Sequence, residues 1–307
     1  MTGAAGAPLL LDGGMATELQ RAGLSVTAPW WTTAALRDEA SRRLLREVHA
    51  AYVAAGADVL TANTFRTNLR ALERAGVAVD AAVTYVRNAV ADARAVSEAA
   101  GGRVLVAASV APLEDCYQPS LVPDDHTLRT EHDWHVGALA DAGVDIVLVE
   151  TMNTSREALA AAQAATRRGL RTFVSFVCGD GARLLSGESV AEAARRVEDA
   201  GCAAVLVNCT TPERCDAALA ALADACAGPI GCYPNVEDRS SLPENVPVDR
   251  YVPVRDGPAG FARTASDWAQ RYQLGVLGGC CGTTPEHIEA LAARLGGRHA
   301  PGRVVTG

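Results

Sequence analysis

The 307-residue sequence has no apolar run of eighteen residues, so no membrane-spanning helix is expected. Met1 to Pro8 lacks the basic and apolar regions of a secretory signal, and a cytoplasmic protein is expected. No block of Lys or Arg interrupts a formal charge of −8, which argues against nucleic-acid or anionic-membrane partners. Neither GxGxxG nor GxxxxGK[ST] occurs, so dinucleotide and P-loop nucleotide binding are unsupported. Aromatics are only 5% of residues. The core must therefore be built from Ala, Val and Leu, which suits close helix–strand packing better than a sandwich. Nine cysteines at irregular spacing do not form a disulfide framework. In a reducing compartment such residues are core fillers, metal ligands or catalytic thiols.

Eight short apolar runs are present, at Leu9–Met15, Asp58–Phe65, Val104–Val110, Asp145–Thr151, Thr172–Cys178, Ala203–Thr210, Pro229–Pro234 and Leu274–Cys281. Helical patterns at Ser41–Ala55, Ala81–Ala99, Ser155–Arg168, Val190–Ala200, Pro212–Ala225 and Ala259–Tyr272 separate them. Several helices end on a glycine just before the next strand, at Gly56, Gly143 and Gly201. Near-continuous apolar strands indicate a parallel sheet covered on both faces. Eight such units in this length give a single α/β domain, a (β/α)8 TIM-type barrel over 1–296, with 297–307 a frayed tail. Two long connections, Pro112–Trp134 and Tyr233–Pro258, are expected on the barrel's C-terminal face as a lid or pocket wall.

Catalytic groups of such barrels come from the C-terminal ends of strands. Those ends carry Asp12-Gly13-Gly14, Asn63-Thr64-Phe65-Arg66, Glu150-Thr151, Asn208-Cys209-Thr210 and Gly278-Gly279-Cys280-Cys281-Gly282. Polar groups closing five apolar strands at one end imply a shared pocket. Adjacent Cys280 and Cys281, flanked by glycines, can turn both sulfurs toward one centre, and Cys209 ends a strand two units earlier. Three thiolates make a soft site that favours zinc and leaves a fourth position open. The alternative, a tight turn with incidental thiols, is hard to reconcile with Cys209. So anionic a set suits a substrate thiol better than water, and the bound sulfur can attack a methyl carbon in line.

Leu11-Asp12-Gly13-Gly14-Met15, Ala57-Asp58-Val59-Leu60-Thr61-Ala62-Asn63-Thr64-Phe65, Glu150-Thr151, Val207-Asn208-Cys209 and Gly278-Gly279-Cys280-Cys281-Gly282-Thr283 together resemble the homocysteine S-methyltransferase family over nearly the whole chain. That resemblance implies the same barrel, with Zn2+ held by Cys209, Cys280 and Cys281. It also implies an amino-acid thiol acceptor, usually L-homocysteine, lined by Asp12, Gly13 and Gly14, with Glu150 on its ammonium. The expected reaction takes a methyl group from a sulfonium, S-methylmethionine or S-adenosylmethionine, and gives methionine. Betaine-using relatives carry an aromatic residue where this chain has Arg66, which points away from a quaternary ammonium donor. Arg66 can instead hold a substrate carboxylate, and Asn63 and Asn208 join it as substrate-binding expectations. The loop Pro112-Leu113-Glu114-Asp115-Cys116-Tyr117 departs from members that use S-methylmethionine. A different thiol or selenol acceptor, or a dithiol redox or metal-handling role for Cys280 and Cys281, stays open, as does a homo-oligomer. His132 and His135 are not expected to hold a second metal.

Overall fold

The structure, a computed structural model, describes residues 8–239, 242 and 252–296. Eight parallel strands form one sheet: β1 Leu9–Leu10, β2 Val59–Ala62, β3 Leu105–Val110, β4 Ile146–Met152, β5 Thr172–Phe176, β6 Ala204–Asn208, β7 Ile230–Tyr233 and β8 Val276–Leu277. Each pairs with the next in sequence from β2 to β8, and β8 pairs with β1. A bridge between Leu11 and Val59 joins β1 to β2 and closes the ring into a (β/α)8 barrel. Helices cover its outside. Gly56, Gly143 and Gly201 take φ of +99°, +78° and +88°, the left-handed turn that lets a helix stop and a strand begin.

Strand periodicity decides what faces inward. Leu11, Val59, Ala107, Ile146, Leu148, Phe173, Leu206 and Val276 fill the barrel interior. The alternating Val106, Val147, Val149, Val174 and Val205 pack outward against helix residues such as Ala158 and Ala161. Continuing each inward column by two residues reaches Thr61, Ser109, Glu150, Ser175 and Asn208, and Tyr233 joins them from β7. The apolar plug is thus capped at its C-terminal end by one polar layer.

The strands are shorter than their apolar runs suggest. Leu9–Met15 is strand only at Leu9–Leu10, and Met15 already starts the helix Met15–Arg21. Leu274–Cys281 is strand only at Val276–Leu277, because the glycines after it turn the chain across the barrel mouth. The expected connection Pro112–Trp134 is also shorter. A helix, Asp125–Asp141, begins inside it, where the Asp124 carboxylate accepts from the amides of His126 and Thr127. Much of 233–258, and the expected tail 297–307, lie outside the described residues.

Candidate metal and acceptor site at the barrel mouth

The loop after β8 is held on both sides. Gly279 donates its amide to the Asp12 carbonyl at 3.0 Å, and Cys280 donates to the Pro234 carbonyl at 3.1 Å. Val236 donates to the Cys281 carbonyl at 3.0 Å, and Gly282 donates to Thr17 Oγ1 at 2.9 Å. A Cβ on Gly14 would sit 2.7 Å from the Cys280 carbonyl oxygen, and one on Gly278 would sit 2.6 Å from Leu11 Cβ. These glycines let the β1 turn and the cysteine loop touch. The close packing around Gly13 and Gly14 is explained by that contact, with Tyr52 and Thr283 as their neighbours.

Three sulfurs converge as the sequence predicts. Cys209 Sγ lies 2.9 Å from Cys280 Sγ and 3.9 Å from Cys281 Sγ, and Cys280 Sγ lies 3.9 Å from Cys281 Sγ. None of the nine cysteines is in a disulfide. Sulfurs about 2.3 Å from a tetrahedral zinc stand about 3.8 Å apart, so two edges of this triangle already fit and the third needs to open. Cys209 reaches the group from a left-handed backbone, φ +49°, and Thr151 on β4 adopts φ +58°. Side chains rarely take these conformations, and they collect where geometry is imposed by function. Thiol protons shared by Cys280 and Cys281 hold the Cys209 thiol well below its ordinary range. The same sharing pushes the Cys280 and Cys281 thiols up, so the cluster favours a single thiolate, on Cys209.

Below the sulfurs lies Glu150. It is buried, accepts from Ser109 Oγ, from Tyr233 Oη at 3.0 Å and from Asn208 Nδ2 at 3.4 Å. Burial pushes its carboxyl up to about 7, and the charges of Asp12 and Cys281 add to that. Among the described residues no Lys, Arg or His pairs with it. Asn208 is fully enclosed: its Oδ1 accepts from the Thr151 amide at 3.0 Å and Ser175 Oγ at 2.7 Å, and its Nδ2 also donates to Thr151 Oγ1 at 2.8 Å. It orients Glu150 and Thr151 and, as the residue before Cys209, fixes the strand end from which that cysteine projects. Asp12 is buried too. Its oxygens accept from the Thr61 amide at 2.7 Å and Thr61 Oγ1 at 2.8 Å, while burial lifts its carboxyl to about 6. Asn63 Nδ2 donates to the Thr32 carbonyl at 2.8 Å, fixing the segment after the first helix.

Arg66 Nη1 donates to the Glu114 carbonyl at 3.0 Å, and its guanidinium lies 5.1 Å from the Phe65 ring centroid. It therefore braces the loop after β3 in which Cys116 and Tyr117 sit. His132 and His135 are buried hydrogen-bonding partners: His132 Nε2 meets Glu157 Oε1 at 3.2 Å, and His135 Nε2 meets Thr67 Oγ1 at 2.9 Å. Cys178, Cys215 and Cys232 are buried core thiols. Sequence reasoning missed Ser109, Tyr233 and Thr61. The signal was there: each is a polar residue on the inward face of a strand.

Fold and mouth define a class: a (β/α)8 barrel whose three-cysteine cluster could hold a metal ion, with a buried carboxylate nearby. The homocysteine S-methyltransferase family profile matches residues 9–295, and the chain belongs to that family. It is 30% identical to selenocysteine Se-methyltransferase of Brassica oleracea var. italica, covering 95% of this chain and 90% of that one. It is 29% identical to homocysteine S-methyltransferase 4 of Zea mays, covering 94% and 89%. Among solved structures, the metallated form of the Escherichia coli homocysteine methyltransferase MmuM superposes with a TM-score of 0.80 at 28% identity, covering 94% of this chain and 97% of that one.

Proposed function

We propose that this enzyme moves a methyl group from a sulfonium donor, S-methylmethionine or S-adenosylmethionine, to the thiol of L-homocysteine, giving methionine. Buried Glu150, beside three convergent thiols and with no cationic partner among the described residues, carries the reading. An amino-acid thiol fits that pairing: its ammonium answers the carboxylate while its sulfur reaches the cysteines. Cys209, Cys280 and Cys281 would hold Zn2+, a choice supported by an all-sulfur donor set and two edges of tetrahedral length. Zinc bound there would lower the acceptor thiol's pKa so that it is a thiolate near neutral pH.

The chain's own residues do the positioning. Glu150 takes the acceptor's ammonium, and Ser109, Tyr233 and Asn208 keep both carboxylate oxygens aimed. Asp12, with Gly13 and Gly14, forms the adjoining wall, and Asn63 and Arg66 fix the loops that frame it. The acceptor sulfur's lone pair forms the new carbon–sulfur bond. The electron pair of the old bond returns to the donor sulfur, which leaves as a neutral thioether, and the thiol proton passes to solvent. No general base is needed at the methyl carbon, so alignment supplies the rate.

A selenol acceptor is the second reading, supported by the selenocysteine Se-methyltransferase of Brassica oleracea var. italica. The test measures zinc content and methyl transfer for each donor with homocysteine and with selenocysteine. About one zinc per chain, with transfer to homocysteine, is expected. Full activity in rigorously metal-free protein would overturn the metal assignment, and a preference for selenocysteine would move the acceptor.

A further inference from the structure

Against the cysteine loop lies a second cluster, which the acceptor site described above does not use. Glu237 follows β7, and its amide is held by Asn235 Oδ1 at 2.9 Å. A Cβ on Gly282 would meet Glu237 Cγ at 3.0 Å, so this side chain rests on the cysteine loop itself. Gly282 has φ +83° and no room, which makes glycine obligatory at this contact. Arg239 engages Glu237 through Nε at 2.8 Å and Nη2 at 2.7 Å. Its guanidinium also stands 5.7 Å from the ring centroid of Tyr117. Tyr117 comes from the loop after β3, anchored where its amide meets Asp115 Oδ1 at 2.9 Å and where Asn153 Nδ2 meets the Cys116 carbonyl at 3.0 Å. Burial pushes the Tyr117 hydroxyl well up, and the charges of Cys209, Cys116 and Cys281 add to that. Glu237 is 9% exposed and Arg239 19%, a partly covered rim rather than a sealed core.

These three groups match the charges of a sulfonium amino acid. A carboxylate and an aromatic face attract a sulfonium cation, and a guanidinium attracts a carboxylate. We infer that Tyr117, Glu237 and Arg239 form the methyl donor's subsite, Arg239 taking the donor's carboxylate while Glu237 and the Tyr117 ring face its sulfonium. This rests on the sulfonium-dependent methyl transfer proposed above. It adds a direction to the reaction: the donor becomes neutral at sulfur when it gives up its methyl, so the subsite holds donor better than product.

The test compares S-methylmethionine with trimethylsulfonium, which has no carboxylate, on the zinc-loaded enzyme and its Arg239→Ala, Arg239→Lys and Arg66→Ala variants. Steady-state kinetics are paired with calorimetric binding of S-methylmethionine. Arg239→Ala is expected to raise the S-methylmethionine KM and Kd at least tenfold. The trimethylsulfonium KM and the homocysteine KM should stay within twofold, and Arg239→Lys should recover part of the loss. An equal rise for both donors, a rise confined to homocysteine, or the same loss from Arg66→Ala alone would overturn the subsite. A wild type that binds homocysteine yet takes no methyl from any sulfonium would overturn the functional reading instead. An active wild type with unchanged Arg239→Ala kinetics would overturn the subsite alone.

Discussion

Two buried glutamates stand seven residues apart and do opposite work. Glu157, in the helix Ser155–Thr166, is closed off by the protein: its Oε1 accepts from the Leu113 amide at 2.8 Å and meets His132 at 3.2 Å. Glu150, near the end of β4, has among the described residues only neutral donors, Ser109, Tyr233 and Asn208, and its carboxyl rises to about 7. One carboxylate uses Oε1 to tie a loop to a helix, with its Oε2 buried and without a hydrogen-bond partner among the described residues, and is part of the scaffold. The other is held in aim but not neutralised, which leaves its charge to be answered by a visitor. A buried acid reads as functional when the fold orients it without supplying the counter-charge.

The comparison breaks hardest at the sulfurs that give Glu150 its purpose. Cys280→Ser is expected to lose the bound zinc and to lower methyl transfer roughly a thousandfold or more, since the metal contributes several kcal/mol at the reacting centre. Metal analysis and turnover on the same sample check it. Glu150→Gln keeps shape and removes charge. It should raise the acceptor KM about a hundredfold, or about 3 kcal/mol, with a melting temperature no lower than that of the parent. Glu157→Gln should show the reverse pattern: stability falls by about 2–3 kcal/mol in a denaturant titration while kcat/KM per folded molecule is unchanged.

A pH series sharpens the contrast. Because Glu150 is protonated below about 7, the acceptor KM should rise as pH falls through that value, about tenfold per unit, and Glu150→Gln should lose this dependence. Stability of the ligand-free protein runs the other way. A folded carboxyl at about 7 against an ordinary 4.5 favours the fold fully below pH 4.5, and that contribution is lost as pH rises through 7. The Glu150 share is about 3 kcal/mol and should vanish from the stability profile of Glu150→Gln. The smallest effect belongs to the aiming groups: Tyr233→Phe should raise the acceptor KM about fivefold, the loss of one hydrogen bond of about 1 kcal/mol.

The barrel was legible because its strands are covered on both faces and therefore read as unbroken apolar runs. Their ends were overdrawn for the same reason: Met15 and Cys281 are compatible with a strand by composition, and only the glycine turns beside them stop it. The helix Asp125–Asp141 was hidden because its buried face includes His132 and His135, polar residues that blur the apolar period. The three cysteines and Glu150 announced themselves as chemistry at strand ends. Ser109 and Tyr233 did not, because an isolated hydroxyl in an apolar strand signals nothing until the inward columns are aligned. Tyr117 was visible as part of the unusual loop after β3, but Arg239 was out of reach: it comes from the loop after β7, and no spacing rule links residues that far apart.

The cysteine loop hangs between the carbonyl of Asp12, beside the first strand, and that of Pro234, just past the seventh. It follows that the sulfur triangle is a product of ring closure. A growing chain that has built seven strands owns Cys209 and both clamping carbonyls but lacks the other two sulfurs. The three-sulfur cluster is therefore complete only in a barrel whose two ends have met.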